Sequence, residues 1–180
     1  MDPLPYDPGR GIPPAKKKIR ERLGAAMIDF VKWVAANGAE MDDVMREVEL
    51  ARFRKVIDEA EAQGVVNALV WHTYAMWSND GPERIDCFTR ALACNESKRD
   101  KLFEPSGPRY DWNQVHMRAD CLFEIGRVHF HEGDPAVARD FFIRALSLAQ
   151  EAERLRAAAG VTNEDNLEGR IAELLLQLPD

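Results

Sequence analysis

The 30 residues Ala119–Leu148, ADCLFEIGRVHFHEGDPAVARDFFIRALSL, constrain the fold more than any other stretch. Leu122, Ile125, Gly126, His129 and Phe130 recur at the three- and four-residue spacing that gathers side chains on one face of an α-helix. Gly133-Asp134-Pro135 then stops that helix and starts another, because Gly tolerates a left-handed cap, Asp accepts hydrogen bonds from a first helical turn, and Pro suits that turn. Ala138, Phe141, Phe142, Ala145, Leu146 and Leu148 renew the apolar stripe. Gly126 is expected to face Ala138 and Ala145, so that two antiparallel helices approach closely. Such a pair buries its stripes by stacking on further pairs.

A second copy is visible upstream. Asp86-Cys87-Phe88-Thr89-Arg90-Ala91-Leu92 matches Asp140-Phe141-Phe142-Ile143-Arg144-Ala145-Leu146 at an offset of 54, with D, F, R, A and L shared. The turns Asn79-Asp80-Gly81-Pro82 and Gly133-Asp134-Pro135 match at 53, which leaves open whether Arg84 or Ile85 takes the place of Ala138.

The later hairpin resembles a tetratricopeptide repeat. Ile125-Gly126 stands where that family has its leucine-glycine pair, the aromatic follows at His129-Phe130, and Gly133-Asp134 is its turn. Ala138, Phe142 and Ala145-Leu146 complete the second helix of the motif, while Gln150 replaces the closing proline, so the helix is expected to continue through Glu151–Leu155. The resemblance covers about 30 of the 180 residues. It implies an all-α, right-handed α-α superhelix of stacked hairpins, about seven helices in all. A family period of about 34 residues places the excess between the copies at 97–111, where Pro105, Gly107 and Pro108 predict a loop carrying Leu102, Phe103, Tyr110 and Trp112. That loop is expected either to fold back on the body or to reach a partner.

The remaining chain fits this plan as an arm followed by one domain. Residues 1–14, with five prolines and two glycines, predict an irregular or disordered arm, and 15–180 a single domain. Its hairpins are expected near 15–63, 64–96 and 112–158, with a capping helix at 162–178. Ile19, Leu23, Met27, Phe30 and Val34 mark the first helix, stopped by Asn37-Gly38. A second helix is expected over 39–63, and Thr162 with Asp165 forms an approximate capping box for the last.

Charge and motif content narrow the function. Twenty-four basic against 31 acidic residues give a net charge of −7, which makes a duplex nucleic acid an unlikely principal ligand. No run approaches the 18 apolar residues of a membrane span and the N-terminus lacks a signal-peptide pattern, so a cytoplasmic protein is the expectation. Cys87, Cys94 and Cys121 have no CxxC spacing, and His72, His116, His129 and His131 no chelating spacing, so neither metal nor cofactor is expected. GxSxG, HExxH, P-loop and GxGxxG patterns are absent, and the expectation is no enzyme.

The resemblance implies a groove lined by the first helix of each pair. Its positions are Phe123, Arg127, Phe130 and His131 in the later hairpin, and Leu69, Thr73, Met76 and Trp77 in the earlier one. A protein or peptide segment is the implied ligand of an adaptor or chaperone, in the manner of tetratricopeptide-like chaperones of secreted bacterial proteins. Of the lysine, asparagine and arginine that such grooves use on a terminal carboxylate, Arg127 alone is present. So short a stack is expected to lean on flanking helices or on homodimerisation. The alternative is a regulator that binds nucleic acid or an anionic surface through segment 16–22, whose Lys16, Lys17, Lys18, Arg20 and Arg22 oppose the dipole of the helix they open.

Overall fold

A computed structural model describes residues 13–38, 42–65, 67–96, 108–162 and 166–179. Among them are seven α-helices and no strand: α1 Pro14–Asn37, α2 Asp43–Ala62, α3 Ala68–Trp77, α4 Gly81–Glu96, α5 Pro108–His131, α6 Pro135–Ala158 and α7 Leu167–Gln177. The all-α class and the number of helices agree with the sequence reading.

Helix boundaries follow from short side chains that serve orphan backbone donors. Asp42 accepts from Met45 N, Asn67 from Val70 N, Asp80 from Glu83 N and Asp134 from Val137 N. Gly133 has φ +83, the left-handed geometry anticipated for the α5–α6 turn, and Pro135 opens α6. Gly38 is right-handed at φ −55, so α1 ends differently: the Asn37 amide donates to Trp33 O at 2.8 Å. The last helix starts later than expected, since the cap is Asn166, which accepts from Gly169 N at 3.1 Å. Asp165 of the anticipated capping box lies outside the described residues, as do the arm through residue 12, residues 39–41 and most of the anticipated loop. That loop is shorter than expected because α5 begins at Pro108; Trp112 sits inside the helix, its ring 5.5 Å from His116.

Packing makes α5 the keel of the molecule. Cys121 and Ile125 join a core built from α1–α4, around Phe30, Phe53, Trp71 and Phe88. Ala119, Leu122 and Phe123 join a second core with Phe142 and Ala145 of α6 and Leu167 and Ile171 of α7. Phe30 stacks on Phe53 at 4.9 Å and ties α1 to α2, while Trp71 of α3 carries the guanidinium carbons of Arg54 from α2 and Arg90 from α4, each 5.0 Å from its ring centre. Both arginines are held by carboxylates, Arg54 by Asp58 and Glu83 and Arg90 by Asp86 and Glu61. Three helices thus share one buried aromatic, and each of these partly exposed cation–aromatic contacts adds about 0.5–1 kcal/mol.

The duplication appears in burial. Phe88 and Phe142, and Ala91 and Ala145, are fully buried at equivalent places in α4 and α6. Gly126 serves a neighbour other than the one anticipated. A Cβ there would lie 2.7 Å from the Phe142 ring and 3.2 Å from Phe141 Cβ, so the glycine makes room for an aromatic edge instead of meeting Ala138 and Ala145.

Candidate functional site

On α5 the residues His116, Asp120, Phe123, Glu124, Arg127 and His131 fall on one stripe. On α3 the residues Leu69, His72, Thr73 and Met76 do the same. The two stripes meet where His72 Nε2 lies 2.7 Å from Asp120 Oδ2. Arg170 of α7 closes the other side, its Nη2 3.9 Å from Glu124 Oε1 and its guanidinium carbon 4.8 Å from the centre of the Phe123 ring. Alternate helices α3, α5 and α7 therefore share a single face.

The floor of that face is an ion-pair cluster that sequence reading missed. Glu124 is 1% exposed, and a buried carboxylate needs compensation. Arg84 of α4 donates to its Oε2 at 2.8 Å, Arg127 donates to Oε1 at 2.8 Å, and Arg170 stands nearby. Arg84, Arg127 and Arg170 outnumber the carboxylates of Glu124 and Asp120 on this face by one, in a chain of net charge −7. Arg84 Nε is also buried and makes no hydrogen bond. For Asp120, burial pushes the carboxyl up, but the hydrogen bond with His72 and the charges of His72, His116 and Arg170 outweigh it and hold the group below its ordinary value of 3.8.

The residues assigned to a groove by resemblance divide into two sets. Leu69 and Met76 are 44% and 41% exposed, His131 is exposed, and Thr73 and Arg127 are partly so. Phe123 is 2% exposed, wedged 5.8 Å from Phe142 beneath Arg127 and Arg170, and forms the floor instead of a contact surface. Phe130 is half-buried against the second core and Trp77 against the first. Helical spacing alone could not separate these sets, because what covers Phe123 is a helix more than 40 residues further along the chain.

A cleft of about 620 Å³ lies between α2 and the α3–α4 turn, lined in part by Arg46, Leu50, Arg54, Tyr74, Ser78 and Glu83. Its polar groups serve each other: the Tyr74 hydroxyl donates to Glu83 at 3.0 Å, Ser78 donates at 2.8 Å and Arg54 at 3.3 Å. Burial and this hydrogen bond push Tyr74 up to about 12. Arg46 Nε, also at this cleft, is buried and makes no hydrogen bond.

Thiol chemistry at Cys87 and Cys121 is subdued. Burial pushes the Cys87 thiol up to about 12, Arg54 opposing and the charges of Glu83 and Asp86 adding, and burial raises Cys121 further still. Neither is poised as a thiolate nucleophile. Among the described residues no three His, Cys, Asp or Glu side chains converge as metal ligands, and no helix is long and apolar enough to cross a membrane.

These features define an all-α protein with seven helices among the described residues, three alternate ones forming one charged, partly apolar face. No protein-family model, no curated protein and no solved structure matches it.

Proposed function

We propose that this chain is a non-catalytic protein-binding module: a tetratricopeptide-like, right-handed stack of helical hairpins that receives an extended segment of another protein on the α3–α5–α7 face. The observation that carries the reading is the convergence of His72, Asp120, Glu124 and Arg170 from three alternate helices, which aligns the exposed Leu69 and Met76 with the half-exposed Arg127 on a common surface. Large apolar side chains of the segment would cover Leu69 and Met76, and its acidic side chains would meet the guanidinium surplus around Glu124. Partly exposed donors already held by Glu124 lose little conformational entropy when a second carboxylate arrives.

The test uses an exposed and a half-exposed position of this face, and Arg84 still donates to Glu124 when Arg127 is removed. The double variant Arg127→Ala with Met76→Ser is expected to lose capture of the partner retained by the wild-type chain from native cell extract, identified by mass spectrometry, while circular dichroism stays helical. Undiminished capture of that same partner would remove this face from consideration. Retention abolished by removing residues 1–22 and falling steeply with salt would support the anionic-surface reading instead.

A further inference from the structure

α1 carries a second stripe that the core does not use. Gly24, Ile28, Val31 and Ala35 succeed one another at four, three and four residues, the seam spacing of paired helices, on a face distinct from the buried Leu23, Phe30 and Val34. Ile28 and Val31 are 51% and 48% exposed. Gly24 stands mid-helix, where glycine costs about 1 kcal/mol relative to alanine, and a Cβ there would meet nothing within 4 Å. Nothing among the described residues accounts for either feature.

We propose that this face of α1 pairs antiparallel with α1 of a second copy of the chain about a two-fold axis. The argument for a second copy is charge. If Gly24 receives Ile28 of the partner, two-fold symmetry places Ile28 on the partner's Gly24 as well, and residues 21 and 31 fall level. Glu21 and Lys32 then flank the seam on the same side of each helix, so Lys32 of one chain meets the partner's Glu21 twice in the dimer. Glu21 and Lys32 are both exposed, and among the described residues neither makes an ion pair.

Within its own chain Lys16 already reaches the C-terminal end of α2, its Nζ 3.5 Å from where a Cβ on Gly64 would stand. At 1.5 Å per residue the stripe from Gly24 to Ala35 runs about 17 Å along α1.

Sedimentation equilibrium of the full chain is expected to give about twice the 20.4 kDa chain mass. The variant Ile28→Glu with Val31→Glu should sediment as a monomer with unchanged helical circular dichroism. Lys32→Glu should weaken the dimer by about tenfold or more, and adding Glu21→Lys to the same chain should restore it. A wild-type chain that stays monomeric at about 100 µM, a dimer indifferent to Ile28→Glu with Val31→Glu, or charge reversal without rescue overturns the pairing. So does a monomer whose Lys16–Lys18 segment binds duplex nucleic acid or anionic vesicles.

Discussion

Gly126 shows how little space separates α5 from α6. An alanine methyl there would overlap the Phe142 ring at 2.7 Å, and Phe142 is fully buried, so neither side can yield cheaply. Gly126→Ala is expected to destabilise the chain by about 1–3 kcal/mol, the usual cost of overpacking, despite alanine's better helix propensity; a raised urea midpoint would refute the close approach. The cysteines make a second test at this scale. Cys87 and Cys121 are fully buried and Cys94 nearly so, and burial disfavours the thiolate. An aromatic disulfide reagent at pH 8 should therefore leave all three essentially unmodified in the native chain and titrate three on unfolding, and prompt reaction of Cys87 or Cys121 would contradict their packing. Single side chains also mark where sequence reading stopped short. Glu124 is not singled out in the sequence, because Arg84 from 40 residues before and Arg170 from 46 residues after are what make it a buried anchor.

Elements were legible where local chemistry decided them. The α5–α6 turn needed a left-handed residue, a cap and a rigid first position, and Gly133-Asp134-Pro135 supplies all three in order. The repeated Phe and Ala of α4 and α6 were visible as an internal match because both helices present the same side chains to their hairpin partners. Boundaries governed by a choice between equivalent signals were less so. Pro108 suits a loop or the first turn of a helix equally well, and it opens α5; at the other end Asn166 caps α7, although Thr162 also has a capping side chain. The groove assignment shared this weakness. Spacing places Phe123 and Arg127 on one stripe of α5, but burial of the first and partial exposure of the second depend on α7, which lies across them.

For the molecule as a whole, the α3–α5–α7 face couples stability to acidity. His72 and Asp120 join two hairpins, and Asp120 is held below its ordinary value of 3.8. A carboxyl whose folded value lies below its unfolded one contributes stability that is complete above the unfolded value and is lost as pH falls through the folded one. Chemical denaturation should therefore show stability declining as pH drops below about 4, and Asp120→Asn should flatten that acid limb at the cost of lower stability near neutrality. An acid limb unchanged by the substitution would place the responsible carboxylate elsewhere.

The position of Arg170 also sets an order of events in time. Because α7 follows α5 by dozens of residues, a chain emerging from the ribosome displays the Phe123 ring and the Glu124 carboxylate before the guanidinium that overlies them has been made. Until that moment the nascent molecule presents a sticky surface in place of a finished one, so premature stops between α6 and α7 should yield a chain whose failing is unwanted adhesion more than loss of helix.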